Sequence, residues 1–406
     1  MQICWIIARQ LCIIVQVTKM KKYLILIGLL LFAGVITGCQ ATTTTTLSTT
    51  FSNPNPDYCV LGQNEGVFVC QKTWSSYFDA PISLKIYISQ TSTFDLEEVF
   101  DTTEMYLEEY HKLMDKYNHY DDVVNVYSIN NSDTYPITVG LDLFNVIKYG
   151  LDHEDVVVSG GVSLFNIALG PILSIWHDAR ENSACQDSLA YSYCPVPASE
   201  IEANTTSTNP DDIIIDEENL TISFLEPNME IDLGGYGKGY VSEIITDYLD
   251  GLDIDYILNA GNSNLKAGGE NPDRENQLFY IGLIRPTIEF TLSKEFYAYI
   301  KIPSGISVVT SGNYQRFFKG IEDEVVYHHI IDPRTNYPGG EAMSVTVFYE
   351  DGALSDIYST AIYLMTIEEG LAFVNQTPNL EAVWYKTDGT LVYSENFEEL
   401  YFYMFP

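Results

Sequence analysis

The sequence predicts an α+β fold: a single large domain of mixed or antiparallel sheets with flanking helices. Three observations predict it. Apolar–polar alternation rich in β-branched residues marks strands at Ile82–Ser89, Ile213–Ile215, Leu220–Leu225, Tyr256–Leu258, Phe279–Ile284, Ile306–Val309 and Val345–Tyr349. Helical spacing marks Leu96–Tyr117, through Phe100, Met105, Leu107, Tyr110, Leu113, Met114 and Tyr117, and also Leu141–Gly150, a helix ending at Leu249 and Asp356–Met365. No repeat of fixed period appears, so the two kinds of segment are expected to share one core.

Between these elements lie polar turns. Asn118–Asp122 leads into a short element ending at Ile129, and Glu217-Glu218-Asn219 joins two strands. Val162–Trp176 is apolar and broken at Gly170-Pro171. Residues 181–212 are rich in Ser, Thr, Asn and Pro and read as a surface insertion.

The N-terminal part of the chain is not part of that domain. Met20-Lys21-Lys22 is a basic start, Tyr23–Ile36 an apolar run, and Ile36-Thr37-Gly38 a set of small residues before Cys39. That layout is a secretory signal peptide over residues 20–38. The residues before Cys39 resemble a bacterial lipobox, which implies cleavage and a diacylglyceryl and palmitate modification of Cys39. A transmembrane anchor is the alternative, but the run is shorter than the roughly 20 residues a span needs. Residues 1–19 are expected to be an over-extended start. Residues 39–57, with five consecutive threonines from Thr42, cannot bury enough apolar surface to order themselves and read as a tether. The domain is then 58–406, held on the outer face of a bacterial cell membrane by lipid.

Charge narrows the function. The chain of 406 residues has 20 basic and 56 acidic residues. Residues 1–39 hold four of the basic ones (Arg9, Lys19, Lys21, Lys22) and no acidic ones, leaving 16 against 56, a formal −40. Such a surface repels polyanions and excludes nucleic acid as a partner. An anionic small molecule would need a metal ion or one of the few cations. Beyond Cys4, Cys12 and Cys39, four cysteines remain: Cys59, Cys70, Cys185 and Cys194. Short spacings favour Cys59 with Cys70 and Cys185 with Cys194 among three connectivities, and four free thiols are the alternative.

Four segments carry chemistry. His328-His329-Ile330-Ile331-Asp332-Pro333-Arg334-Thr335-Asn336-Tyr337-Pro338 sets two imidazoles, a carboxylate and a guanidinium on a loop stiffened by two prolines, with Ile330-Ile331 as the end of a buried strand. Ile231–Tyr240 holds four glycines and Lys238 before a helix, so the backbone can approach a ligand and adopt positive φ, and the helix N-terminus favours an anion. A plain tight turn is the alternative. In Leu354–Ala361, Asp356 and Thr360 share one helix face, which suits a hard cation such as Mg²⁺; capping by Ser355 and Asp356 is the alternative. Val309–Arg316 ends a strand in small hydroxyl residues and bears Tyr314 and Arg316, as for a planar polar ligand; Gly160–Asn166 is similar.

In this order, the segments resemble the FAD:protein FMN transferases, the ApbE-like lipoproteins. The resemblance runs through Gly161–Trp176, Asp232–Tyr240, Asn259–Gly261, Arg285-Pro286, Thr310–Arg316, His329–Pro338 and Asp356–Ala361, and covers about residues 74–390. It implies an ApbE-like, T-fold-like architecture, FAD as substrate and Mg²⁺ as cofactor. By motif, Asp356, Thr360 and the Gly235 carbonyl match metal ligands. Phe78, Tyr120, Leu164, Phe165, Asn166, Asp232, Lys238, Thr310 and Ile330 match flavin-nucleotide contacts. His329, with Asp332, matches the acid/base group, and Lys238 a stabiliser of phosphate charge. The implied reaction moves FMN from FAD to a Ser/Thr hydroxyl of an exported or membrane flavoprotein and releases AMP. The alternatives are an FAD pyrophosphatase and a non-catalytic FAD-binding lipoprotein. The chain departs from the family pattern at Asn262-Ser263, where Gly-Asp is common, at Asn166, where Asp is common, and at Asn336, where Gly follows the Thr.

Overall fold

The computed structural model describes residues 52–181, 196, 198–287, 295–319 and 325–403, within one compact unit spanning 51–406. The signal-like run, Cys39, Cys185 and Cys194 lie outside the described residues. Among the described residues, no helix is long and apolar enough to cross a membrane.

Nine strands form the central sheet: β1 (Cys59–Leu61), β2 (Phe68–Trp74), β3 (Ile82–Ile88), β4 (Asp255–Ala260), β5 (Asn264–Gly268), β6 (Ser307–Gly312), β7 (Ala342–Tyr349), β8 (Glu381–Lys386) and β9 (Leu391–Tyr393). Their spatial order is their chain order, and every neighbouring pair is antiparallel. The sheet is therefore a meander, and the site-forming helices and loops ride in its long connections, above all residues 89–254 between β3 and β4. Cys59 and Cys70 face each other across β1 and β2 and are joined in a disulfide, the pairing their spacing favoured.

Period-two alternation sorts the strands onto two cores. Ile82, Leu84, Ile86, Tyr256, Leu258 and Ala260 point to one face, against the Leu96–Met114 and Gly237–Gly251 helices. Val308, Phe348 and Val383 point to the other, against a three-stranded sheet built from Phe279–Ile284, Phe296–Ile302 and Phe402–Tyr403. The predicted strands and long helices are present, with shifted ends. β8 escaped the sequence reading because residues 381–385 are all buried, which removes the alternation that marks a one-sided strand. The first helix stops at Met114, short of Tyr117, because the Asp115 carboxylate accepts the N–H groups of Tyr117 and Asn118 that would extend the ladder.

Two helices meet at their N-termini. The Gly352–Leu364 helix is capped by Asp351, whose Oδ1 accepts the Leu354 N–H at 2.8 Å. Asp356 lies within the helix, buried, so the capping alternative for it is excluded. Two more helices, Ile367–Gln376 and Phe397–Leu400, follow it. In the Gly237–Gly251 helix the expected positive φ is absent, since none of Gly234, Gly235, Gly237 or Gly239 has it. Those glycines serve close approach instead. A Cβ on Gly239 would stand 2.1 Å from the Gly352 carbonyl oxygen, and one on Gly237 would stand 2.7 Å from Met114 Sδ.

The described part of the predicted insertion contains a short helix, Ala198–Asn204, whose Ile201 is buried against Trp176 and Ala179. Asn166 Nδ2 donates to Thr208 O at 2.8 Å, tying this segment to the loop after the glycine turn.

Gly239→Ala sets a methyl against backbone that cannot rotate away. We expect it to lower stability by about 1–3 kcal/mol or more, read as a drop in the denaturation midpoint. Glu154 makes a second case. It is buried, its Oε1 accepts the Ile167 N–H, and burial pushes its carboxyl up to about 8. Between the unfolded carboxyl range and that value the folded state holds the extra proton, so this group's contribution declines as pH rises through the window. Glu154→Gln keeps the acceptor without the charge. It should raise Tm at pH 8.5, with the gain vanishing near pH 5; an equal gain at both pH values would refute this account.

Candidate active site

At one end of the central sheet, β3 starts, β4 turns into β5, and β6 ends. Ile82 pairs with Ala260, Ala260 with Asn264, and Asn264 with Val309, so this register brings Asp79–Pro81, Gly261–Ser263 and Thr310–Gly312 to a common edge. Gly234, Gly235 and Lys238 join them, with Asp356 and Thr360 from the second helix and Arg316 and His329 from the loops beyond. Together they enclose a cavity of about 810 Å³, large enough for a dinucleotide-sized ligand.

One wall of the cavity is strained. Phe78 and Asp79 adopt φ of 52° and 51°, successive non-glycine residues in the left-handed region. Each costs about 1–2 kcal/mol. Strain of this kind persists where surrounding structure fixes it, commonly at binding sites. Here the Phe78 N–H donates to His111 Nδ1 at 3.3 Å, and Pro81 O accepts the Gly261 N–H at 3.1 Å.

Asp356 is the buried anion of the site. Its Oδ2 accepts the Gly239 N–H at 2.7 Å, a free donor of the neighbouring helix N-terminus. Burial pushes the carboxyl up to about 6, and the charge of Lys238 opposes that rise. Burial also lowers Lys238, with Asp356 acting against it. Ser311 Oγ lies 2.8 Å from Ser359 Oγ and 3.4 Å from Thr360 Oγ1, and Thr310 Oγ1 lies 2.8 Å from Thr346 Oγ1.

His328 and His329 differ in role. His328 is buried, its Nδ1 accepts the Ile330 N–H, and burial holds it down to about 4, so it is a neutral structural ring. His329 opens onto the cavity. Its Nδ1 lies 3.3 Å from the Arg316 carbonyl oxygen, which can only accept, so Nδ1 carries the proton. In the neutral ring, Nε2 is then left with the lone pair. Desolvation first, and then the charge of Arg316, hold His329 below the usual imidazole range. Because the ring faces the cavity, that desolvation is complete only when the cavity is filled.

Of the residues predicted from sequence, Lys238, Thr310, His329, Gly235, Asp356 and Thr360 line this one cavity. Others do not reach its wall. Asp332 does not meet His329: it is buried and holds Arg334 in a fork, Nε to Oδ1 at 2.9 Å and Nη2 to Oδ2 at 2.7 Å. Arg334 Nη2 also donates to Leu364 O, so this pair fastens the His329 loop to the end of the Asp356 helix. Asp232 pairs with buried Lys116 at 3.1 Å and takes the Gly234 N–H on Oδ1, a shaping contact for the glycine turn. Asn166 caps the 167–169 turn by accepting the Ala168 N–H. Tyr120 donates to Asp115 Oδ2 at 2.8 Å. Leu164 and Ile330 are buried in the adjoining core. Phe165 is buried beside Gly235, and Phe78 packs edge-on to His111. The structure adds Asp79, Arg285, Tyr314, Asn262 and Ser263 to the wall. Arg285, Tyr314 and the Asn262-Ser263 pair fall in segments singled out from sequence; Asp79 has no such signal beyond lying next to Phe78.

Comparison with known proteins agrees with this geometry. Residues 78–384 match the ApbE family. An FAD:protein FMN transferase of Klebsiella pneumoniae is 30% identical over 261 residues, covering 64% of this chain and 74% of that protein. One of Vibrio cholerae is 26% identical over 309 residues, covering 74% of this chain and 84% of that one. Among solved structures, the ApbE protein of Thermotoga maritima aligns at a TM-score of 0.65 with 21% identity, over 82% of this chain and 99% of that chain. The flavin transferase ApbE of Vibrio cholerae aligns at 0.64 with 22% identity and the same coverages, and these two likenesses establish the fold. With the match holding β3 to β7, most of β8, both helix N-termini and the residues that line the cavity, the chain belongs to the ApbE family.

Proposed function

We propose that the protein moves FMN from FAD to a Ser or Thr hydroxyl of an exported or membrane flavoprotein and releases AMP, with Mg²⁺ as cofactor. The observation that carries this reading is the convergence of Lys238, His329, Asp356 and Thr360 on one cavity. The names of the relatives support the transfer of FMN from FAD to protein. Cys39 and the leash behind it support lipid anchoring on the outer face of the membrane.

The residues fit a hard cation. A carboxylate, a hydroxyl and a backbone carbonyl, from Asp356, Thr360 and Gly235, are oxygen donors of the kind Mg²⁺ takes, and all three line the cavity. Bound there, the ion would supply charge neutralisation for phosphate oxygens. The protein supplies the rest. Lys238, Arg285 and Arg316 place three cations on one cavity of a chain of formal charge −36; Asp79, Glu295 and Asp356 balance them there, so a pyrophosphate would draw on the metal ion for the remaining positive charge. Tyr314 offers a flat apolar face for a ring.

In the reaction, the acceptor oxygen forms a bond to the FMN phosphorus and the bond to the bridging oxygen breaks, which frees AMP. The hydroxyl proton passes to His329 Nε2, the ring nitrogen that carries the lone pair. Desolvation first, and then the charge of Arg316, hold His329 neutral and make it a weak base. A bound pyrophosphate would offset the Arg316 charge, which acts to raise the basicity of His329 against the desolvation that lowers it.

Purified full-length protein, incubated with FAD, Mg²⁺ and an acceptor flavoprotein domain, should add one FMN mass to the acceptor and release AMP in equal amount. Free FMN and AMP with unmodified acceptor would identify a pyrophosphatase, and unchanged FAD a binding protein. Asp356→Asn should cut metal-dependent turnover by at least about 100-fold, since the site keeps no other carboxylate in this donor set. Full activity in that variant would remove the metal assignment.

A further inference from the structure

We infer that Asn264 is a positioning residue for Asp356, holding its carboxylate in the geometry a divalent cation requires. This rests on the metal site proposed above. Asn264 opens β5, where it pairs with Ala260 on one side and Val309 on the other, and it is 1% exposed. Its Nδ2 lies 3.3 Å from Asp356 Oδ1 and 3.2 Å from the Gly352 carbonyl oxygen. Both are acceptors, so the amide nitrogen must face them; the flipped amide would set oxygen against two oxygens.

The consequence falls on both ends of the carboxylate. Asn264 donates to Oδ1 and the Gly239 N–H donates to Oδ2, so each oxygen has one donor from a different element. Asp356 is thereby fixed from the sheet and from the neighbouring helix at once, and each oxygen keeps lone-pair capacity beyond that donor. The donor contact on Oδ1 comes at a cost. Asn264 Oδ1 is buried with no partner among the described residues. A valine or isoleucine would suit a buried strand position with no such orphan. An amide at this position is accounted for by the contact its nitrogen makes with Asp356.

Metal ligands are commonly held by such outer contacts, and their loss typically weakens metal affinity about 10–100-fold. The test is a Mn²⁺ titration of the full-length protein, followed by the loss of the free-ion electron paramagnetic resonance signal, with and without FAD. Asn264→Val should weaken Mn²⁺ binding about 10-fold or more while FAD binding without metal is unchanged. Asn264→Ser, too short to reach Asp356, should do the same, and serves if the valine variant does not fold. Thermal melts check folding in each. If both folded variants bind Mn²⁺ as wild type does while Asp356→Asn loses it, the inference fails and the metal site stands. If wild type takes up no Mn²⁺ even with FAD present, the metal reading itself fails, and this inference with it.

Discussion

The structure turns on the close crossing of two helix N-termini at Gly239 and Gly352. No side chain fits between them, because a Cβ on Gly239 would overlap the Gly352 carbonyl oxygen. That contact lets a free N–H of one helix reach the carboxylate of Asp356 on the other. The approach thus does two jobs with the same atoms: it packs the helices and satisfies a buried anion. It also fixes what the cavity can hold. Lys238 is one residue before Gly239, so the cation and the anion of the site are positioned by the same turn. Behind them buried Lys266 pairs with half-buried Glu243, and Glu243 also accepts the Gly352 N–H, which holds the second helix start.

Electrostatics explains why so few cations suffice. A surface of this charge disfavours any anion at long range, yet within a partly closed cavity short-range contacts outweigh that field, which salt screens beyond about 10 Å. Lys238, Arg285 and Arg316 are spent at one place, while Lys72, Lys112 and Lys148 pair with surface acids on helices elsewhere. Arg285 is partly offset by Glu295 at 3.6 Å, and Asp79 and Asp356 line the same cavity as Lys238 and Arg316, so three cations there meet three carboxylates.

Much of this was legible in the sequence, and the reasons are local. Alternation and helical spacing report directly on which face of an element is buried, so β3, β4, β7 and both site helices could be read. Asp356 and Thr360 share a face by helical geometry alone. The glycine turn was read as a place where backbone approaches a ligand with positive φ; the φ values are ordinary, and the close neighbour of Gly239 is the start of another helix. Asp332 shows the opposite failure. A carboxylate three residues from a histidine looks like its partner, yet Arg334, two residues away, competes for it with a bidentate geometry that a histidine cannot match. Asp232 and Asn166 follow the same pattern, since short polar side chains at turns are commonly occupied by nearby backbone N–H groups. Asn264 carried no signal because one polar residue in a short strand has no pattern; only the register with β6 places it under Asp356.

The departures from the family pattern have a physical reading once φ is known. Asn262 and Asn336 stand where glycine is common, and their φ values are 59° and 63°. Asparagine is among the non-glycine residues best tolerated there, because its short amide bonds locally. Here the Asn262 side-chain oxygen accepts from Asn259 Nδ2 at 3.4 Å, and the backbone N–H groups are held locally, that of Asn262 by Asn259 Oδ1 and that of Asn336 by the Asp332 carbonyl. The substitutions therefore conserve backbone shape while adding side chains. At Asn336 the added amide reaches Thr205 Oγ1 at 3.1 Å and so ties the proline loop to the segment after the Ala198–Asn204 helix. At Asn262 the residue lines the cavity beside Ser263. What this loop presents to the cavity is an uncharged amide and hydroxyl where the family pattern has glycine and a carboxylate.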